Sequence, residues 1–286
     1  MSFKVTTISY EDVSKFGDLI VSVYDQFNIS LNPQSQIMRY VNSAKLLFSK
    51  WQADDDSMSH NRREFFGIME GCLECLRIGT AIQWVKNKPN LQLHLKKMLK
   101  GYIDPTGKKR TEAKDFWFEL NVLARLESAG IHAELVEPPD IEFVLDGSKF
   151  VIACKCAYSE SNLEVQIKRA KRQISRTSEK GIIAISIDAL LDHSDLVIAP
   201  TQSDLYNRIA DKAQRFLRQY EQFLPDWINS RRVIGLLIFA STLSIIEDEK
   251  TPREGQFVLI NNRCTPGSPY MLDLQKLAGL LENAEL

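Results

Sequence analysis

The sequence predicts an α/β unit preceded by a helical region, and three observations carry that reading. Residues 1 to 104 place apolar side chains at three- and four-residue intervals, the period of a helix face. Two runs rich in Ile, Val and Phe then flank Asp146-Gly147. That dipeptide readily takes the paired positive φ values of a type I′ turn, so residues 137–156 read as a β-hairpin. Beyond the hairpin, helical patterns alternate with strongly apolar strand patterns.

Composition sets the bounds. A chain of 286 residues with 44% hydrophobic and 26% charged residues can bury a full core and is not expected to be disordered. The formal net charge of −1 provides no global basic field, so any nucleic-acid site has to be a local patch. No cationic apolar leader opens the sequence. The longest apolar run, residues 233–246, is broken by Ser241, Thr242 and Ser244 and is too short for a bilayer. A soluble cytoplasmic protein with no membrane partner is expected, and its odd count of five cysteines argues for reduced thiols. Cys72 and Cys75 form a lone CxxC on a helical pattern and read as core.

In chain order, helices are expected over residues 13–27, 36–51, 63–85 and 91–99, with a polar loop at 52–60. Asp104-Pro105-Thr106-Gly107 is turn-rich and marks the boundary between a helical region, 1–104, and an α/β domain, 105–286. Thr111 caps the next helix, which runs to Ala129 and stops at Gly130. Its apolar stripe holds Phe116, Val122, Leu123 and Leu126, with Lys114, Asn121, Arg125 and Ser128 on the far side. Glu119 falls inside that stripe. A carboxylate there either has a partner (a metal, a cation or a hydrogen-bond donor) or sits at the stripe's edge and reaches water.

A short strand, 131–136, leads into the hairpin. Ser161-Asn162-Leu163-Glu164 reads as a capping box opening a second helix, with Leu163, Ile167, Ala170 and Ile174 buried. Its opposite face carries Gln166, Lys168, Arg169, Lys171, Arg172, Gln173 and Arg176, a set able to contact phosphates or simply to face solvent. Strands at 181–187 and 232–240, a helix at 202–223, an edge strand at 256–260 and a closing helix at 271–281 complete the reading.

The hairpin brings charged groups together. With Asp146-Gly147 as the turn, Leu145 faces Ser148, and counting back sets Asp140 opposite Ala153. Side chains alternate across a strand, so Asp140, Glu142, Ala153 and Lys155 share one face, while Ile141, Phe143, Ile152 and Cys154 share the other. His60, His94, His132 and His193 lack the spacing of a zinc hydrolase, and neither a P-loop, a GxGxxG after a strand nor a GxSxG elbow is present.

Phe118-Glu119-Leu120, Ala124-Arg125-Leu126 and Ala129-Gly130 in the first helix, Pro139-Asp140 in the next strand and Ala153-Cys154-Lys155 in the third element resemble, in order and spacing, the PD-(D/E)xK or restriction endonuclease-like nuclease superfamily. The resemblance spans about 75 residues, 112–187, in line with a compact α/β unit. It implies a mixed central sheet flanked by helices. It also implies that Glu119, Asp140 and Lys155 are the catalytic residues of a divalent-metal-dependent nuclease acting on DNA rather than RNA. Mg²⁺ or Mn²⁺ would be held by Asp140, Glu119 and the backbone carbonyl of Cys154. Gln166, Lys168, Arg169, Arg172 and Gln173 would contact the nucleic acid. The departure is Ala153, which stands where family members carry an acid two residues before the lysine. Glu142, on the face of Asp140, is the candidate for a migrated acid, against the plainer reading of an exposed strand glutamate. Ala153 also admits a second outcome, a nuclease-fold module that binds nucleic acid or protein without chemistry. The N-terminal helices are candidates for a homodimer interface or a regulatory cap.

Overall fold

A computed structural model of the chain describes residues 9–53, 62–103, 109–191, 197–223, 226, 232–246, 251–261, 270–282 and 284. Four helices come first: α1 (Tyr10–Gln26), α2 (Gln36–Gln52), α3 (Arg62–Val85) and α4 (Leu91–Met98). Serines fix two of their starts. Ser9 caps α1 in a capping box with Asp12, and the Ser35 hydroxyl accepts from the Met38 amide at 3.3 Å to open α2. The boundary proposed at residues 104–107 lies outside the described residues.

Next come α5 (Glu112–Ser128), β1 (Ala133–Leu135), β2 (Ile141–Leu145), β3 (Ser148–Cys156), α6 (Glu160–Ser175), β4 (Lys180–Ser186), β5 (Val197–Ala199), α7 (Gln202–Tyr220), β6 (Val233–Ile246), β7 (Thr251–Asn261) and α8 (Tyr270–Glu282). The strands form one seven-stranded mixed sheet in the order β1-β2-β3-β4-β6-β5, with β7 also paired to β6. Strands β1, β2 and β3 are antiparallel neighbours, whereas β3-β4 and β4-β6 are parallel. The hairpin turn has φ of 50° at Asp146 and 77° at Gly147, and Leu145 pairs with Ser148, as the dipeptide chemistry dictates.

This register sorts the side chains between two hydrophobic clusters. Ile141, Phe143, Ile152 and Cys154 pack with α1–α5, and that cluster runs without a break from the N-terminal helices into the sheet. Val151 and Ala153 pack on the other side, against Leu163, Ile167, Ala170 and Ile174 of α6. The sheet therefore lies between two helical layers, and α5 is itself enclosed between α3 and the sheet.

That enclosure corrects one expectation. Lys114, Asn121 and Arg125, assigned to a far side of α5, are buried: Lys114 lies over the Tyr158 ring, Arg125 over Phe239, and Lys114 and Asn121 line a cavity that Arg77 of α3 shares with Phe239 of β6. A second correction concerns α6. Its cap is Ser159, whose hydroxyl accepts from the Asn162 amide at 3.2 Å, so the helix starts ahead of the serine expected to open it. Thr111 caps α5 as expected, accepting from the Lys114 amide at 3.3 Å, and Gly130, at φ 76°, ends it in the left-handed region. Strand β6 extends past Ala240, since β5 and β7 pair with its last residues. Among the described residues, no helix is long and apolar enough to cross a membrane.

Candidate active site

Asp140 lies immediately before β2, where its backbone is held on both sides. Its amide donates to the Ile152 carbonyl and its carbonyl accepts from the Val136 amide, each at 3.1 Å. With the main chain so fixed, the carboxylate turns over the start of the β2-β3 pairing. Oδ2 accepts from the Cys154 amide at 2.6 Å and from Lys155 Nζ at 3.0 Å; Oδ1 accepts from Gln173 Nε2 at 3.3 Å. Lys155 Nζ also donates to the Cys154 carbonyl at 2.6 Å. Local turn chemistry thus joins Asp140 to Lys155, and the hairpin register needed for that is the one found.

Glu119 reaches the same cleft from α5. Its Oε2 lies 2.8 Å from Nε2 of His94, a buried residue of α4. Burial pushes the Glu119 carboxyl above the ordinary glutamate range; the hydrogen bond to His94 opposes the rise, and the nearby charge of Asp140 adds to it. Burial likewise pushes the Cys154 thiol well up, with Asp140 and Glu119 reinforcing the rise.

The cleft has a volume of about 460 Å³. Glu119, Asp140, Cys154, Lys155, Gln166, Arg169 and Gln173 line one part of it; Leu93 and Lys97 of α4, with Arg110, Asp115 and Phe116, line the part facing them, and Glu137 completes it. Lys97 caps the Phe116 ring at 5.4 Å and is ion-paired with Glu112. Arg110 holds Asp115 through Nε and a terminal nitrogen, at 3.2 and 3.0 Å, while Asp115 accepts from the Tyr158 hydroxyl at 2.7 Å.

Other candidates fall elsewhere. Glu142 is ion-paired with Lys149 at 2.5 Å and does not line the cleft. Lys168 pairs with Glu164 at 2.6 Å on the exposed surface, and Arg172 is exposed outside the cleft. Gln166 is not on an exposed face: it is buried and donates to Asn162 Oδ1 at 3.2 Å. Ala153 is fully buried among apolar neighbours from α6.

Sequence reasoning missed His94, Lys97, Arg110 and Glu137. For His94 the one available signal was indirect: Glu119, inside an apolar stripe, called for a partner unless it reached water at the stripe's edge.

Compared with protein-family models and with curated proteins, the chain matches none.

Proposed function

We propose that the protein is a divalent-metal-dependent nuclease hydrolysing phosphodiester bonds, with DNA as the substrate. The observation that carries this reading is the convergence on one cleft of Glu119 from α5, Asp140 from the residue before β2 and Lys155 from β3. Among the described residues no cluster of three or more His, Cys, Asp or Glu side chains could hold a metal ion. The donor set nonetheless fits Mg²⁺, which is commonly bound through one or two carboxylates and completes its octahedron with water and substrate phosphate. Asp140, Glu119 and the Cys154 carbonyl would supply the protein oxygens. Two of those oxygens, Asp140 Oδ2 and the Cys154 carbonyl, already flank a positive charge, the Lys155 ammonium. The ion would supply a Lewis acid for the scissile phosphate and make the attacking water more acidic.

The remaining work falls to the chain itself. Lys155, displaced from Asp140 Oδ2, would orient the water or neutralise charge developing on the phosphate. Arg169 and Gln173 line the cleft and would bind the backbone on either side of the scissile bond. Purified protein with Mg²⁺ or Mn²⁺ should nick or degrade DNA in preference to RNA, and Asp140→Ala and Lys155→Ala should each abolish it. Cleavage that survives either substitution refutes the assignment.

A second reading has its own support. Ala153 leaves one acid fewer than the nuclease pattern, and Lys155 neutralises Asp140 directly, which suits a module that binds nucleic acid without cutting it. Calorimetry separates the two: absence of Mn²⁺ binding with intact affinity for nucleic acid leaves only the module.

A further inference from the structure

The N-terminal helices reach the cleft through one residue that the nuclease pattern does not include. His94, on α4, meets Glu119 at 2.8 Å, with side-chain exposures of 7% and 15%. Among the described residues it is the hydrogen-bonding partner of Glu119. Its ring also stands edge-on to Phe116 at 4.8 Å and 78°, one helical turn before Glu119 on the same face of α5. The imidazole is thereby clamped between two residues of one helix. Among the described residues its Nδ1 is buried without a hydrogen-bond partner, so the polar contact of the ring is directed to Glu119 through Nε2. Helix α4 is in turn held to α1 and its C-terminus, by Tyr24 Oη donating to the Leu95 carbonyl at 3.3 Å and Gln92 Nε2 to the Phe27 carbonyl at 2.9 Å.

We propose that His94 is a positioning residue: through it, the N-terminal helical region aims the Glu119 carboxylate at Asp140. The inference rests on the nuclease reading for its consequence, not for its geometry. A glutamate held in one rotamer loses side-chain freedom, and a hydrogen bond between the imidazole and the carboxylate offsets that loss. Lys155 of β3 and Gln173 of α6 hold Asp140; His94 of α4 does the corresponding service for Glu119. The charged groups around the pair are Asp140 and Lys155, which act on Glu119 through space, and Lys97 over the Phe116 ring. On this basis the helices are part of the site and not an appendage to it.

The test uses the full chain and two readouts. In nuclear magnetic resonance at one fixed pH, the His94 Nε2 proton should be protected from exchange, should disappear in Glu119→Ala, and the Glu119 carboxyl resonance should move in His94→Leu. A proton unaffected by Glu119→Ala overturns the proposal. In calorimetry, His94→Leu should weaken Mn²⁺ binding by roughly 10–100-fold, the usual effect of removing a residue that orients a metal-holding carboxylate. His94→Gln, which keeps an N–H at the same reach, should recover most of it, with thermal melts confirming that both variants fold. Equal loss in the two variants also overturns the proposal. Should the parent protein neither bind Mn²⁺ nor cleave nucleic acid, the nuclease reading falls, and the resonance experiment alone decides whether His94 orients Glu119.

Discussion

Lys155 Nζ bridges Asp140 Oδ2, at 3.0 Å, and the Cys154 carbonyl, at 2.6 Å, so one ammonium ties the two hairpin strands together at their charged end. Both side chains are largely buried, with exposures of 16% and 9%. Removing one partner strips a charged hydrogen bond but leaves Asp140 its donors from Cys154 and Gln173. Lys155→Met is therefore expected to cost about 1.5–3 kcal/mol. The double variant with Asp140→Asn should cost less than the sum of the singles, with a coupling of about 1–3 kcal/mol. Urea denaturation of the four proteins measures it, and strict additivity would show that the pair contributes nothing.

Ala153→Glu restores an acid on the face that carries Asp140 and Lys155. The site is fully buried against α6, so the added carboxylate must displace packing around Ile167 and Ala170 or swing toward the cleft. Overpacking of this kind costs about 1–3 kcal/mol. In exchange, a third carboxylate near Asp140 and Glu119 should raise Mn²⁺ affinity in calorimetry and, if the protein cuts nucleic acid, speed cleavage. Lower stability with no gain in metal binding would mean that the cleft cannot use an acid from this position.

Why some of this was legible in the sequence is a question of range. Asp140 and Lys155 could be paired by counting because the Asp146-Gly147 turn fixes the register locally, and a strand's alternation carries it from Gly147 to Lys155 without drift. Glu119 was flagged by the apolar stripe around it, which left a partner or an outlet to water as its two alternatives. The partner itself was not readable: His94 lies 25 residues away, and the two meet through helix packing that no periodicity encodes. The same blindness misplaced Lys114, Asn121 and Arg125, since a helix covered on both sides shows no sequence signature distinguishing its second buried face. Strand β5, three residues long, is too short to carry a period, and only its pairing with the end of β6 defines it.

Thiol reactivity follows from burial. Cys72, Cys75, Cys154 and Cys156 are free and buried. Burial pushes the Cys75 thiol up to about 12, and those of Cys72, Cys154 and Cys156 up as well. A raised thiol pKa keeps the unreactive protonated form at pH 8, and the thiolate is the nucleophile. Iodoacetamide at that pH should leave these four unmodified in the native protein and label them all after denaturation, as peptide mass mapping would show. Native labelling of Cys154 would mean that the cleft exposes its sulfur. Cys264 lies outside the described residues.

Arg169 and Lys168 are adjacent on α6 and should behave differently toward nucleic acid. Arg169 lines the cleft, whereas Lys168 is paired with Glu164 on the exposed face, outside it. A phosphate contact neutralised by a cation releases condensed counterions, so losing one contact lowers the salt slope of binding by about 1. Arg169→Ala should therefore weaken DNA binding and flatten its dependence on salt by that amount. Lys168→Ala should change both only slightly, because the exposed pair with Glu164 already screens its charge. Fluorescence anisotropy across a salt series reads both quantities, and identical slopes for the two variants would place the DNA backbone along the outer face of α6 instead of in the cleft.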